Sequence, residues 1–408
     1  MTGPAIRFPA ALLVPGGLLE PIVNLRRKQR LDWVAGGVLI ALLRPAVMLL
    51  GRILRRDHAL RVGARVCVFK LVGGGSLVIA FPALLGLRQR YPEVELSLLC
   101  TPAVAPFAET LRVFDRVVVI DDSSLLRLLE TAFTAWLRLL GTDTVIDLEV
   151  HSRLSTVYSL LTCARNRIGF YLESAFWRQG LHTHLIFFNR FSGSFLFYEK
   201  LVELLGAKPA SEEACRVNLL AGLPAAEPRA QLPTVCIGHA CSDLSRERML
   251  APGHWRKVLL DNEGDGALRC FIALGERSDR DDAERILASL RAARPQHQYE
   301  NRCGELSLPQ SLAVLADAGE FWGIDSGLLH YARLLRKRCL SFWGPTHPDT
   351  LLKPIEGLDE RVVYRKVPCS PCVHIAEAPP CRGNNVCIRN LFESTPGEEL
   401  EWFSYLGR

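Results

Sequence analysis

The chain has 408 residues, of which 49% are hydrophobic and 23% are charged. That composition excludes a disordered chain, a collagen-like repeat and a coiled coil, and the length predicts two domains with an appendage. The 13 cysteines are too dilute for a disulfide scaffold, so they indicate a reducing compartment.

The formal net charge of +6 is concentrated near the N-terminus. Residues 1–65 hold eleven Lys or Arg against three Asp or Glu, whereas the remaining 343 residues hold 38 basic and 40 acidic ones. A body this close to neutral is not expected to bind nucleic acid. The basic character therefore belongs to an N-terminal extension, which we assign to residues 1–61.

The extension has the pattern of a membrane-surface element. Eleven apolar residues run from Trp33 to Leu43 before Arg44 and Pro45 interrupt them. Crossing a bilayer takes about 20 uninterrupted apolar residues, and a central Arg is costly there. The pattern predicts one or two short amphipathic helices in the membrane interface, with the basic clusters at 26–30 and 52–56 among anionic head groups. The alternative is a hydrophobic helix packed on the protein's own surface.

From residue 62 onward the pattern predicts an α/β fold. Strand-like runs alternate with helical periodicity, which is typical of βαβ units and a parallel sheet. In the first half, the predicted strands are Val66–Lys70, Val94–Leu99, Val117–Ile120 and Thr144–Leu148, with a helix at Leu125–Leu140. In the second half, they are Thr234–Gly238, Leu268–Leu274, Phe321–Ile324 and Arg338–Phe342, with helices at Asp281–Ala293 and Leu308–Leu315.

A segment rich in Ala and Pro at residues 221–233 predicts a linker between the two halves. We therefore expect two Rossmann-like domains, 62–220 and 234–408, that face a cleft. Ligands of such folds bind at the carboxyl ends of the strands. The active site is accordingly expected between the two domains.

A glycine cluster, Gly73-Gly74-Gly75-Ser76, follows the first strand and opens a helix. Bare backbone at such a turn lets a ligand approach closely, and the helix N-terminus favours anions. The loop lacks the Lys-Ser/Thr of a P-loop, and Val78 occupies the third glycine position of a dinucleotide fingerprint. A nicotinamide-dependent oxidoreductase is thereby disfavoured. The alternative interpretation of the loop is a tight packing turn.

A second helix start follows the predicted strand at 321–324. Asp325, Ser326 and Gly327 lead directly into a helix, so free backbone N–H groups would point at an anion such as a diphosphate. His330 lies one turn further on. The alternative is an Asp/Ser helix cap beside a satisfied core histidine.

These two loops belong to a longer series of short motifs. The series runs from the glycine loop through Pro82-Ala83-Leu84, Tyr91-Pro92, Asp147-Leu148 and Arg167-Ile168-Gly169 to Arg248, His254-Trp255, Gly275-Glu276-Arg277, Asp325-Ser326-Gly327-Leu328-Leu329-His330 and Phe342-Trp343-Gly344-Pro345-Thr346. Over roughly residues 64–395, it resembles glycosyltransferase family 9, the ADP-heptose:lipopolysaccharide heptosyltransferases. The resemblance implies a GT-B fold with the nucleotide sugar on the C-terminal domain and the acceptor on the N-terminal domain. It also implies inverting transfer without a catalytic metal.

The resemblance assigns roles to individual residues. Those expected to cradle the diphosphate and the sugar are Asp325, Ser326, Gly327 and His330. Arg248 stands where many members have a phosphate-binding Lys, a change that keeps the charge and adds a bidentate fork. In a looser match, Asp279 falls near an acid that meets the nucleoside. The expected acceptor loop comprises Lys70, Gly73, Gly74 and Gly75.

One position departs from the family pattern. Members usually carry Gly-Asp after the first strand, with the Asp as candidate general base, and that position here is Ser76. A serine hydroxyl cannot accept a proton near neutral pH unless another base activates it. Asp147 and Glu149 end the predicted strand at 144–148, on the cleft side of the first domain. We therefore expect Glu149 to be the substitute base; the alternative is a solvated loop carboxylate.

Four cysteines, Cys369, Cys372, Cys381 and Cys387, fall within 19 residues near the C-terminus. Four thiolates at short spacing can close a tetrahedral site for zinc or iron. The spacing is not that of a common zinc finger, so four reduced thiols in a loop are the alternative. Any metal here is expected to be structural, because no open ligand position or general base accompanies it.

The sequence thus predicts a peripheral inverting glycosyltransferase at the cytoplasmic face of a bacterial inner membrane, with no cofactor for catalysis. Its expected partners are a nucleotide sugar, with ADP-heptose favoured, and a lipopolysaccharide, other lipid-linked or polysaccharide acceptor. Because the family's Asp is missing, the alternative is a pseudo-glycosyltransferase that serves as a membrane-bound binding or scaffold subunit.

Overall fold

The computed structural model describes residues 25–54, 59–225, 232–242, 245–263, 266–373, 379–381 and 383–393. Several parts of the sequence-based predictions lie outside these ranges. They are the first 24 residues of the extension, the middle of the linker at 226–231, and Arg55 and Arg56 of the second basic cluster. The side chains of Arg26 and Arg52 are likewise outside the described part.

A long helix and a six-stranded α/β domain make up the N-terminal half. Its helices and strands are α1 (Leu25–Leu54), β1 (Arg65–Lys70), α2 (Gly74–Arg90), β2 (Glu95–Cys100), α3 (Ala105–Leu111), β3 (Arg116–Val119), α4 (Leu125–Leu139), β4 (Thr144–Asp147), α5 (Arg153–Leu161), β5 (Asn166–Tyr171), β6 (His184–Phe187), α6 (Ser194–Leu204) and α7 (Glu212–Leu220). A short 3₁₀ helix, Glu173–Arg178, lies between β5 and β6.

The C-terminal half repeats this arrangement. Its helices and strands are β7 (Thr234–Gly238), α8 (Pro252–Asn262), β8 (Cys270–Ala273), α9 (Arg280–Ala293), β9 (Gln298–Asn301), α10 (Leu308–Asp317), β10 (Glu320–Ile324), α11 (Gly327–Leu334), β11 (Arg338–Trp343), α12 (Pro348–Leu351), β12 (Glu360–Tyr364) and α13 (Val386–Phe392). Two short 3₁₀ helices, Arg246–Arg248 and Arg277–Asp279, precede α8 and α9.

Both sheets are parallel and have the same strand order. The first runs β3-β2-β1-β4-β5-β6 and the second β12-β11-β10-β7-β8-β9. Counted from its own first strand, each is the 3-2-1-4-5-6 order of a Rossmann fold. Central strands such as β1 are almost wholly buried, because helices cover both faces of a parallel sheet. The predicted GT-B architecture of two Rossmann-like domains is therefore confirmed.

The single long helix α1 differs from the one or two short helices that the sequence predicted. It continues through Pro45 and packs along α5 of the first domain. The Asp32 carboxylate accepts hydrogen bonds from Ser152 Oγ (2.6 Å) and from the backbone N–H groups of Arg153 and Leu154 (2.9 Å each), so it caps the start of α5. The helix sits so close that a Cβ on Gly36 would lie 2.4 Å from the Arg153 Cβ.

Among the described residues, one helix is long and apolar enough to cross a membrane. The stretch is Arg27–Leu50 in α1, with a mean hydropathy of 2.0. Yet α1 is attached to the first domain from Asp32, through the buried Ile40, to Met48. At 1.5 Å per residue those contacts extend over about 24 Å. The helix therefore lies along the domain rather than projecting from it.

Candidate active site

The two domains approach each other at the starts of α2 and α11. A Cβ built on Gly75, in the first turn of α2, would lie 3.4 Å from the Gly327 Cα at the start of α11. Neither helix has an acidic residue in its first turn. Two helix N-termini whose partial positive charges are not neutralised thus face each other, and this arrangement favours an anionic ligand.

Contacts behind this meeting point hold the domains together. Phe107 of α3 stacks on Tyr331 of α11 with ring centroids 6.1 Å apart. The Tyr331 hydroxyl lies 2.5 Å from Thr110 Oγ1, also on α3. A Cβ on Gly327 would be 2.8 Å from the Phe107 ring, so only glycine fits there without displacing the ring. The domains are therefore closed at this edge of the cleft.

Arg248 stabilises the turn that starts α11. Its Nη1 donates to the Asp325 backbone oxygen at 3.0 Å and lies 3.3 Å from Asp325 Oδ2. Both side chains are largely buried. The structure thus brings together two residues that the sequence assigned to donor binding. Part of the guanidinium is committed to positioning Asp325, which the sequence did not indicate.

Three buried polar atoms near this turn lack a hydrogen-bond partner among the described residues: Ser326 Oγ, Thr346 Oγ1 and His239 Nδ1. His239 directly follows β7, Ser326 comes two residues after β10 and Thr346 three residues after β11, so all three lie near the carboxyl ends of neighbouring strands. Buried polar groups are seldom left unpaired, so these atoms are candidates to bind a ligand. The sequence analysis missed His239 and Thr346 as site residues. The available signal was that each ends a buried strand at the cleft.

His330 is neutral rather than positively charged. Burial lowers its pKa to about 4, although the Asp325 carboxylate acts in the opposite direction. Its Nε2 lies 3.9 Å from Asp325 Oδ1. In the neutral imidazole one nitrogen donates and the other accepts, so His330 can orient a ligand but adds no net charge.

Asp279 has a local structural role. Its Oδ2 accepts a hydrogen bond from the Glu276 backbone N–H at 2.8 Å, and the two side chains form a reciprocal capping box on the 3₁₀ helix before α9. The backbone oxygen of Asp279 lies 3.3 Å from His239 Nε2. Contact between Asp279 and a nucleoside stays a prediction.

In the first domain, Glu149 is hydrogen-bonded to the loop after β1. Its Oε1 accepts from Lys70 Nζ (3.1 Å) and from the backbone N–H groups of Leu71 (2.7 Å) and Val72 (3.0 Å). Burial disfavours the charged form of Lys70, but Glu149 outweighs that effect and the Lys70 pKa is raised. Glu149 Oε2 makes no hydrogen bond within the described part of the chain. This oxygen therefore retains the capacity to accept a further hydrogen bond.

Asp147 was a candidate catalytic residue, and the structure corrects this. Its carboxylate is fully buried: Oδ2 lies 3.1 Å from Arg178 Nη2 and 3.3 Å from His182 Nε2, and accepts from Ser155 Oγ at 2.9 Å. Its Oδ1 accepts from the Glu149 N–H at 3.0 Å. Enclosed in this way, Asp147 cannot reach an acceptor. It instead positions the backbone that carries Glu149.

Ser76 does not replace the family's acid. Its Oγ donates to the Gly73 carbonyl at 2.7 Å within the first turn of α2, and the buried Tyr198 hydroxyl lies beside it. Burial raises the pKa of Tyr198, with Lys70 acting in the opposite direction. Neither hydroxyl can therefore act as a base near neutral pH.

The four C-terminal cysteines lie near one another. Burial, together with a smaller effect of the neighbouring thiols, raises the pKa of Cys372 to about 11 and that of Cys387 to about 12. Within the described ranges, however, no group of three or more His, Cys, Asp or Glu side chains is arranged to hold a metal ion. These thiols therefore do not form a ligand set in this conformation, and zinc or iron at the cluster stays a prediction.

Comparison with known proteins agrees with the fold. The glycosyltransferase family 9 (heptosyltransferase) model matches residues 219–381. No curated protein matches the sequence significantly. Among solved structures, the Escherichia coli ADP-heptose lipopolysaccharide heptosyltransferase II is 17% identical, with a TM-score of 0.56 over 79% of this chain and 97% of that one.

Two further structures give similar values. The E. coli heptosyltransferase WaaC with ADP is 18% identical, with a TM-score of 0.57 over 73% of this chain and 92% of that one. A family 9 glycosyltransferase from Veillonella parvula is 16% identical, with a TM-score of 0.55 over 75% and 87%. Residues 219–381 therefore match the model of glycosyltransferase family 9, and the two domains together have the GT-B fold of the heptosyltransferase structures.

Proposed function

We propose that this protein transfers a sugar from a nucleoside-diphosphate donor to an acceptor hydroxyl, with inversion at the anomeric carbon. The observation that carries the proposal is the pair of facing helix starts at Gly75 and Gly327, beside Arg248 and the unpartnered Ser326 hydroxyl. A diphosphate would offer acceptor oxygens to Ser326, Arg248 and the free N–H groups of α11.

An ADP-sugar, and ADP-heptose in particular, is the proposed donor. Residues 219–381 match a family model that is named for heptosyltransferases, and the WaaC structure with the same fold is described as containing ADP. The proposed acceptor is lipopolysaccharide, another lipid-linked glycan or a polysaccharide. The observations that bear on a lipid-linked acceptor come from the surface of the first domain.

The proposed reaction is a single displacement. Glu149 Oε2 would take the proton of the acceptor hydroxyl while that oxygen bonds to the anomeric carbon and the bond to the diphosphate breaks. The leaving diphosphate gains negative charge, which Arg248 and the N-terminus of α11 would stabilise. The Lys70 ammonium, 3.1 Å from Glu149 Oε1, would hold this carboxylate in position.

Donor binding provides the first test. Calorimetric titration with ADP-, UDP-, GDP- and dTDP-sugars is expected to show selective binding of an ADP-sugar. The Arg248→Ala and Asp325→Ala variants are each expected to weaken that binding about 10- to 100-fold, because each removes a charged partner from the turn that meets the diphosphate.

The matched control is Arg285→Ala, which removes an exposed Arg of α9 that is paired with Asp282 and is expected to leave donor affinity unchanged. Failure of every donor to bind the unaltered protein would contradict the transferase proposal. That outcome would favour the scaffold alternative, which the Ser76 position already makes worth testing.

We also propose that the first domain lies on the surface of an anionic membrane. On α4, the side chains Leu126, Leu129, Phe133 and Leu137 form an exposed apolar stripe at helical spacing. The outer side of α1 is also apolar, with exposed side chains at Trp33, Val34, Val38, Leu42 and Leu49. Both helices flank α5: Trp136 Nε1 of α4 donates to the Leu161 carbonyl at 2.8 Å, and α1 caps the start of α5.

The apolar faces of α1 and α4 therefore lie on either side of the same helix. Two such faces fit a surface that enters the membrane interface.

Vesicle flotation tests this membrane contact. Phe133→Glu is expected to lower binding to vesicles that contain phosphatidylglycerol at least ~10-fold, because a carboxylate replaces an apolar ring at the interface. Thr134→Glu is the control, since it adds the same charge to the polar side of the same helix. Equal losses in both variants would indicate a general charge effect and would count against this surface.

A further inference from the structure

A cavity of about 470 Å³ lies between α1 and the first domain, remote from the cleft. The residues that line it are Gly37, Ile40, Ala41, Arg44, Pro45, Met48, Arg153, Phe176 and Trp177. Its walls are mainly apolar, and no acidic side chain lines it. Its volume falls within the range of small-molecule sites, about 300–1,000 Å³.

At one end of the cavity, α1 stands close to α5. At the close end, a Cβ on Gly37 would lie 2.7 Å from Arg153 Nη1. Further along α1, Pro45 has no N–H to donate to the Ala41 carbonyl, and both residues line the cavity. The Ala41 carbonyl at the cavity therefore lacks its intrahelical donor.

Arg44 is the unusual member of this lining. It is half-buried in the middle of the apolar helix, and its side chain makes no ion pair or hydrogen bond with any described residue. An Arg at this position in an apolar helix is costly unless something compensates its charge. The chain itself supplies no such group within the described ranges.

Arg153 brings a second positive charge to the same space. Its guanidinium carbon lies 5.0 Å from the centroid of the Trp33 ring and 5.6 Å from that of Trp177, so two indoles hold it in place. Burial lowers the pKa of Arg153, against the opposing effect of Asp32. Asp32 itself is already occupied in capping α5. Two guanidinium groups on an apolar pocket match a phosphate that carries hydrocarbon chains.

We propose that this cavity binds the phosphate head group of an anionic amphiphile, with Arg44 and Arg153 on the phosphate and with Ile40, Met48 and Phe176 along the first part of its apolar chains. The inference rests on the membrane contact proposed above and adds a defined lipid site to it. Bound there, the lipid neutralises Arg44 and fixes α1 against the first domain.

Calorimetry on the full chain separates the sources of the phosphate. The probes are dihexanoyl phosphatidylglycerol below its micelle-forming concentration, dihexanoyl phosphatidylcholine, and inorganic phosphate. Saturable one-to-one binding is expected for phosphatidylglycerol, at least tenfold tighter than for the other two. Equal affinity for inorganic phosphate would overturn the amphiphile assignment, and so would the absence of saturable phosphatidylglycerol binding.

Variants connect the binding to this cavity. Arg44→Gln is expected to weaken phosphatidylglycerol binding at least tenfold, and Ala41→Phe, which fills the cavity without changing charge, is expected to do the same. Arg30→Gln removes an exposed charge from the same helix, outside the cavity, and is expected to have little effect once salt screens surface charges. Equal losses in Arg30→Gln and Arg44→Gln, or no loss in Ala41→Phe, would overturn the site. The nucleotide-sugar titration reports separately on the cleft, so failure here would leave the transferase proposal standing.

Discussion

Replacing Glu149 with Gln is expected to slow sugar transfer about 10²- to 10⁴-fold, the usual contribution of a general base. The amide oxygen can still accept from the N–H groups of Leu71 and Val72, so the loop after β1 should keep its shape. What the variant lacks is an oxygen that can hold the acceptor's proton. We therefore expect kcat to fall while the KM for the nucleotide sugar stays nearly constant.

A second-site change makes this test sharper. Ser76 stands where the family carries its candidate acid, so Ser76→Asp in the Glu149→Gln background is expected to recover part of the lost turnover. Ser76→Ala alone should have little effect on proton transfer, because that hydroxyl donates to the Gly73 carbonyl within its own turn and lies beside the Tyr198 hydroxyl. Full activity in Glu149→Gln would show that the proton goes elsewhere.

Replacing Asp147 with Asn is expected to destabilise the first domain by about 3–5 kcal/mol. Asp147 and Arg178 are both fully buried, 3.1 Å apart, so the substitution leaves the guanidinium charge uncompensated in the interior. Urea denaturation measures the loss. Glu130→Gln provides the contrast, because it breaks an exposed pair with Arg127 and is expected to cost no more than about 1 kcal/mol.

The buried pair of Asp147 and Arg178 also predicts that the stability of the first domain depends on pH. Burial disfavours the charged Asp147, but Arg178 and His182 outweigh it and the Asp147 pKa lies below its ordinary value. A lowered pKa stabilises the fold at pH values above the unfolded pKa of about 4. That contribution is lost as the pH falls through the folded value. In Asp147→Asn, the free energy of unfolding should therefore fall less steeply as the pH is lowered below about 4. An unchanged dependence on pH would contradict the role assigned to this carboxylate.

Strands with continuous apolar runs could be predicted from the sequence, and those without could not. The strand Thr234–Gly238 was predicted with the bounds that the structure has, because its apolar run ends at a glycine. Strand β5 was missed because it begins with two polar residues, Asn166 and Arg167. Both side chains are buried, and their hydrogen bonds to backbone carbonyls make that burial possible. The edge strand β12 was missed because it is only half-buried and carries charged side chains.

Some features of the candidate site could likewise be predicted from the sequence, and others could not. The residues around Asp325 are adjacent in the chain, so their meeting at one helix start follows from local sequence. The contact between Glu149 and Lys70 depends instead on β4 pairing with β1, which residue order alone does not reveal. Asp147 looked equivalent to Glu149 in the sequence. Only the packing of Arg178 against it distinguishes a buried support from a group that faces the cleft.

The close approach of Gly75 to Gly327 also affects the timing of each catalytic cycle. A Cβ built on Gly75 would lie 3.4 Å from the Gly327 Cα, so the space between these helix starts is narrower than a sugar ring. We therefore expect the halves to separate before a substrate enters and again before the products leave. Opening breaks the Phe107–Tyr331 stack and the hydroxyl pair behind it. The speed of that separation, rather than the chemistry of transfer, would then set the upper limit on turnover.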